Sequence, residues 1–319
     1  MRGVNLYGMP AGRMRTSRET PPPVNARTFG GLGYDRQFIG VNLPLPVAKT
    51  QAVRSDLVGA DGERIAHYTH FSLAIRRSRR MAAFVAWNLE GRATKPSSKD
   101  TPWQIDPRVP LECQIDNTLY EGTVFDRGHI AKREDLLWGG ENVAKQANAD
   151  SFCYTNATPQ HEKFNRLAPA LWKSLEDEIF RQVDVADARI ALVGGPIFSA
   201  QDQPFVPPGA AHGFVPVLIP RQFFKVVAYR DTDDGQVKAM AFRLSQESLV
   251  SGLTGAPSGR LDLSKFSMYQ VDITALEALT GLSMAAFRRL DSKAAHDRLA
   301  PARLRQADRP VRAFADILR

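Results

Sequence analysis

Only two cysteines, Cys113 and Cys153, occur in 319 residues, so neither a disulfide-stapled scaffold nor a cysteine-based zinc site can carry the fold. Cys153 lies in the apolar run Ser151-Phe-Cys-Tyr-Thr155 and is expected to be a buried free thiol. No stretch of about 18 apolar residues exists, which excludes a membrane-spanning helix. The segment Met1 to Asn25 contains arginines but no apolar core, unlike a Sec signal peptide. With Pro21-Pro22-Pro23 and scattered glycines, residues 1–30 predict a mobile basic arm, and a cytoplasmic location follows. There is no internal repeat.

What is present, 319 residues of which 43% are hydrophobic, is enough to bury a substantial core. The formal net charge is +8 and the pI about 9.6, a balance that favours polyanionic partners without proving them. Arginines cluster at Arg76, Arg77, Arg79 and Arg80, and again at Arg298, Arg303, Arg305, Arg309 and Arg312. The first cluster reads either as a charged hairpin tip or as a grip on backbone phosphates, a contribution that salt weakens.

Residue types predict a mixed α+β chain. Thr69–Ile75 and Met81–Trp87 read as strands joined across the first arginine cluster, and Thr123–Ile130 and Phe152–Asn156 as two more. Residues 91–118 read as a long loop. Leu171, Leu175, Ile179 and Val183 recur at helical spacing, predicting a helix from Pro169 with one buried face. Ile190–Val193 reads as a strand ending at Gly194-Gly195. Phe223–Tyr229 and Val237–Leu244 read as a hairpin, and Thr274–Thr280 as a short helix stopped by Gly281. One domain over residues 31–290 is expected, followed by a basic tail over 291–319 that reads as a helix broken at Pro301 and Pro310, with a solvated segment as the plain alternative.

The chemistry concentrates between residues 125 and 176. Phe125-Asp-Arg-Gly-His-Ile130 is followed by Thr155-Asn-Ala-Thr-Pro-Gln160, Phe164-Asn165 and Leu171-Trp-Lys-Ser-Leu-Glu176. His129 has a side chain that is largely neutral near pH 7 yet takes a proton, as a base activating water requires. Arg127 is permanently charged and forks onto phosphate oxygens. Gly128 is expected to allow a turn that separates the two. Asn165 offers one carbonyl oxygen to a hard cation such as Mg²⁺, which keeps most of its waters, and Glu176 could hold one of them. His161 reads as a solvated loop residue, and His67 and His70 as structural.

This constellation resembles the DNA/RNA non-specific endonucleases, which carry a ββα-metal (His-Me finger) site. The resemblance runs from about Gly33 to Phe287 and includes Tyr68-Thr-His-Phe-Ser72, Phe84-Val-Ala-Trp-Asn88, Arg133-Glu-Asp-Leu-Leu-Trp138 and Gly194-Gly-Pro-Ile-Phe198. It implies a central, mostly antiparallel sheet flanked by helices. It also implies His129 as general base, Arg127 on the phosphate, Asn165 as direct Mg²⁺ ligand, Glu176 as holder of metal-bound water, and Asn156 as a supporting residue. Mn²⁺ could replace Mg²⁺. The partners implied are DNA and RNA backbones, with an inhibitor protein or a homodimer left open.

Two departures stand out. Trp172 comes seven residues after Asn165, further than in shorter members, so Asn165 must sit in a lead-in that folds back. The arginine that some members place upstream is missing, with Lys99, Arg92 or Arg108 as substitutes. Two other readings remain: a nucleic-acid-binding module without turnover, and a sequence-selective endonuclease of the same metal-finger class.

Overall fold

A computed structural model describes residues 31–91, 101–168, 170–186, 188–251, 253, 268–300, 308–311 and 316–318. The expected arm over 1–30 lies outside these residues, as do Pro169, Lys99, Arg92, Arg303, Arg305 and Arg312.

Among the described residues one antiparallel sheet of nine strands dominates. From one edge its order is Asp308–Pro310, Met268–Val271, Val237–Ser245, Gln222–Arg230, Arg189–Ile197, Met81–Glu90, Phe71–Arg76 and Leu57–Val58, with Ala66–His67 also paired to Phe71–Arg76. Both faces are covered, which is why Met81–Glu90 is buried at every residue instead of alternating with polar ones.

The period of two still decides which side chain goes where. Leu73, Val85, Trp87, Leu192, Phe223, Val227 and Phe242 face a layer containing Leu136, Ala147, Phe164, Trp172 and Leu175. Ala74, Phe84, Ala86, Val193, Phe224, Val226 and Ala241 face the opposite layer, built on Ile273, Leu276, Met284 and Phe287. Fully burying one such large side chain is worth roughly 1.5–3 kcal/mol.

The expected strands at Met81 and the hairpin of Gln222–Arg230 with Val237–Ser245 form as read, the latter in register Gln222↔Ser245. Ile273–Thr280 is a helix closed by Gly281 at φ +70. Two expectations change. The strand at Ile190 runs on through Gly194-Gly195 to Ile197. A Cβ at Gly194 would stand 3.3 Å from the Trp87 ring and one at Gly195 3.0 Å from the Ala83 carbonyl, so these glycines serve close packing, not termination. Phe152–Asn156 is not a strand; it ends in a turn of 3₁₀ helix, Tyr154–Asn156, and the strand is the next segment, Ala157–His161. Pro159 is admissible there because a two-stranded ribbon needs no amide directed outward. Beyond residue 290 the helical reading holds, with Ser292–Leu299 a helix, and Asp308–Pro310 adds a strand paired with Met268–Val271.

Candidate active site

The motif residues fold as two strands followed by helix. Phe125–His129 pairs antiparallel with Ala157–His161, in register Phe125↔His161 and His129↔Ala157. A one-turn helix, Glu162–Asn165, follows directly, capped by His161 Nδ1 accepting from the Lys163 amide at 3.2 Å. His161 is therefore a buried cap, not the solvated residue expected. The Ala170 amide then donates to the Lys163 carbonyl at 3.0 Å, so the lead-in folds back before the Leu171–Ala186 helix. Phe164, Trp172 and Phe223 pack together with ring centroids 5.3–6.1 Å apart and seat this unit on the sheet.

No turn separates Arg127 from His129. Both lie in one continuous strand, two residues apart, and so share a face. Gly128 matters for space instead. A Cβ there would stand 2.1 Å from Gln160 Oε1, so the residue makes room for a fully buried amide across the hairpin.

His129 packs against Trp103 and Phe152, with centroids 4.7 and 5.2 Å away. Its Nε2 is enclosed and has no hydrogen-bond partner among the described residues. Burial pushes its pKa down to about 4; Glu134 opposes this and Arg133 adds to it. The imidazole is thus neutral across ordinary pH, with one nitrogen available. Arg127 donates to Asn117 Oδ1 through Nε at 3.1 Å and also through Nη2, and lies 5.7 Å over the Tyr120 ring. Neutral groups hold it, the Asn117 amide and the Tyr154 hydroxyl, and it forms no ion pair among the described residues.

On the other face of the strand, Asn165 Nδ2 donates to Asp126 Oδ2 at 3.1 Å, and Arg166 Nε donates to both Asp126 oxygens at 2.9 Å. Tying down the nitrogen end of the Asn165 amide fixes which way its oxygen points. Asn156 is wholly buried; it accepts from the Ala131 amide and donates to the Ala131 and Ser151 carbonyls, all at 3.0–3.1 Å. It therefore braces the backbone that leaves His129. Glu176 is buried, its Oε1 taken by Lys225 Nζ at 2.7 Å. Burial pushes its carboxyl up, while Lys225 and Lys132 oppose that. The structure gathers Arg127, His129, Asn156 and Asn165 on one hairpin and its following helix. It shows no direct contact between His129, Asn165 and Glu176.

The basic residues are less available than the sequence suggested. Arg76 pairs with Asp56 at 2.6 Å, Arg77 with Glu112 at 3.6 Å and Arg79 with Asp202 at 3.0 Å, while Arg80 donates to the Val215 and Pro216 carbonyls. Arg108 is held by both Asp106 oxygens over the Tyr68 ring, which removes it as a substitute for the upstream arginine.

The pattern of the DNA/RNA non-specific endonucleases matches residues 49–289, about three quarters of the chain. The chain belongs to that family. The uncharacterized protein y4fB of Sinorhizobium fredii is 32% identical over 289 residues, covering 86% of this chain but 41% of its own length. A nuclease of Nostoc sp. is 24% identical over 212 residues, 66% of this chain and 69% of that one. The mitochondrial nuclease EXOG of Mus musculus is 25% identical over 239 residues, 72% and 58% respectively. The chain thus spans less than half of the first of these relatives and just over half of the mouse protein. EndoG, solved in complex with EndoGI, shares the fold at TM-score 0.51 and 18% identity, covering 72% of this chain and 88% of that one. The architecture is accordingly a ββα-metal fold built on an antiparallel sheet.

Whether a hydrated divalent ion suits these residues can be judged from the donors. Among the described residues there is no group of three or more His, Cys, Asp or Glu side chains able to cage a metal. One amide oxygen, oriented by Asp126, fits a hard cation that keeps its waters and takes few protein ligands. No described helix is long and apolar enough to cross a membrane. Sequence reading missed Lys225, Trp103 and Asp126. For Lys225 a signal existed: in Phe223-Phe-Lys-Val-Val227 it occupies the same alternate register as Phe223 and Val227, a charge where the core face demands an apolar residue.

Proposed function

We propose that this chain hydrolyses phosphodiester bonds in DNA and RNA, without reading base sequence, in a Mg²⁺-dependent endonuclease reaction. The observation that carries this reading is the pairing, on one strand face, of a neutral imidazole whose Nε2 has no partner with a guanidinium free of any described carboxylate. The His129 imidazole accepts a proton from water, whose oxygen forms the new bond to phosphorus as the bond to the leaving oxygen breaks. An incoming phosphodiester anion raises the imidazole pKa from its buried value and so strengthens the base. Arg127 exchanges Asn117 for the phosphoryl oxygens and offsets their growing charge. Asn165, through Oδ1, and Glu176, through water, are the residues that would hold the ion. When bound, the ion supplies Lewis-acid stabilisation of charge on the leaving oxygen.

Supercoiled plasmid, single-stranded DNA and RNA, incubated with Mg²⁺, Mn²⁺ or a chelator, test the reading. Metal-dependent cleavage of all three, at scattered positions, is expected. Binding without cleavage would assign the chain to a nucleic-acid-binding module, and discrete cut sites to a sequence-selective enzyme.

A further inference from the structure

Lys225 is one of the largest fully buried side chains of the protein, 1% exposed at the centre of the nine-stranded sheet. A lysine there is costly unless it is paired and has a use. Its Nζ lies 4.2 Å from the centroid of the Trp172 ring and 5.3 Å from that of Trp87, and 2.7 Å from Glu176 Oε1. Around this pair stand Asp135, whose Oδ2 accepts from Trp87 Nε1 at 2.9 Å, and Lys132, which is bonded to Asp177 at 2.8 Å. Lys132 and Asp135 belong to the segment that follows His129 directly, and Glu176 feels both of their charges. Two cations and two carboxylates therefore tie the sheet, the Leu171–Ala186 helix and the exit of the His129 strand together at one point.

We propose that Lys225 is a positioning residue for the metal site: held between two indole rings, it fixes Glu176 by Oε1 and reserves Oε2 for the water shell of the divalent ion. The assignment rests on the nuclease reading above, because it presumes that Glu176 holds metal-bound water. A purely structural alternative exists, in which the ion pair merely fastens helix to sheet. The two differ in what happens once Glu176 can no longer act.

The test is a double-variant cycle on the full chain, comparing the unaltered protein with Glu176→Gln, Lys225→Met and the two combined. Two readouts are taken. One is the Mg²⁺ concentration giving half-maximal plasmid cleavage; the other is Mn²⁺ binding without nucleic acid, followed by electron paramagnetic resonance. Glu176→Gln is expected to raise the half-activating Mg²⁺ concentration and the Mn²⁺ dissociation constant about tenfold, leaving the KM for nucleic acid within about twofold. Lys225→Met should do the same. In the Glu176→Gln background, removing Lys225 should change neither readout by more than about twofold, since the residue acts only through Glu176. This last comparison holds even if Lys225→Met alone fails to fold, because the combined variant leaves no buried charge of the pair unmatched. A further tenfold loss in the combined variant, or unaltered metal binding in Lys225→Met, overturns the proposal. Failure of the nuclease reading is separate: it would appear as no metal-dependent cleavage by the unaltered protein.

Discussion

Adding one methyl group at Gly128 tests how tightly the hairpin is built. The backbone there is ordinary extended strand, so alanine carries no torsional penalty; the cost comes from contact alone. The new Cβ would stand 2.1, 2.3 and 2.6 Å from Gln160 Oε1, Cδ and Cγ, where real Cβ contacts essentially never go below 3.0 Å. Gln160 is 0% exposed, and neither end of its amide has a partner among the described residues, so packing alone holds it in place. Overpacking of this kind costs about 1–3 kcal/mol. At roughly 2–4 °C per kcal/mol for a domain of this size, the melting temperature should fall by several degrees. The Gln160 side chain or the strand that carries it must shift beside His129, and a misplacement of about 1 Å can cost on the order of 100-fold in rate. Thermal melting followed by calorimetry, and single-turnover cleavage below the melting range, measure the two effects. Gly128→Ala combined with Gln160→Ala makes room for the methyl and should recover most of the lost stability. Equal melting temperature and rate in Gly128→Ala, or a double variant no more stable than the single one, would refute the reasoning.

Four further outcomes follow. His129→Ala should lower single-turnover cleavage by roughly 10²–10⁴-fold while leaving the melting curve and gel-shift affinity for nucleic acid near those of the parent; an active alanine variant removes the assigned base. Because burial holds His129 near pKa 4, kcat/KM should stay level as the pH falls from 7 to about 5 and drop only near 4, whereas an acid limb centred at 6.5 would contradict the enclosed imidazole. The same shift gives stability a sign: between about pH 6.5 and 4 the unfolded chain binds a proton that folded His129 refuses, so its contribution to stability is intact above 6.5 and erodes as pH falls toward 4, measurable by urea titration. Arg79→Ala should lower the melting temperature by removing its bonds to Asp202 and the Ser199 carbonyl, yet leave nucleic-acid affinity within about twofold; a large loss of affinity would show that the hairpin tip reaches the substrate after all.

Local pattern made the large sheet legible because its strands are read one at a time: apolar content and turn residues sufficed for Met81–Glu90 and for Gln222–Arg230 with Val237–Ser245. The same locality explains the failures. Gly194-Gly195 looks like an end until the Trp87 ring, more than 100 residues earlier in the chain, is seen to lean on it. Ala157–His161 looks unfit for a strand until its partner, Phe125–His129, is found to accept Pro159 opposite Arg127. In the site, residue types announced what His129, Arg127 and Asn165 can do. They could not announce who holds them. Asn117, Asp126 and Lys225 lie 10, 39 and 49 positions from the side chains they bond, and no spacing rule connects them.

The charge of the chain is a case in point. A formal +8 suggests a broad electrostatic grip, but charge matters to a phosphate only where no carboxylate has already claimed it. Arg76, Arg77 and Arg79 have such carboxylates, and Arg80 lies against backbone carbonyls. Arg108 is doubly held by Asp106. Arg127, unlike Arg76, Arg77, Arg79 and Arg108, is held by neutral groups, the Asn117 amide oxygen and the Tyr154 hydroxyl, which orient a guanidinium without neutralising it. A weak, neutral holder keeps the cation ordered and lets a phosphate displace it, whereas a carboxylate would compete with the substrate for the same fork. What marks Arg127 is therefore two facts together: partners too weak to keep it, and a place on the same strand face as His129.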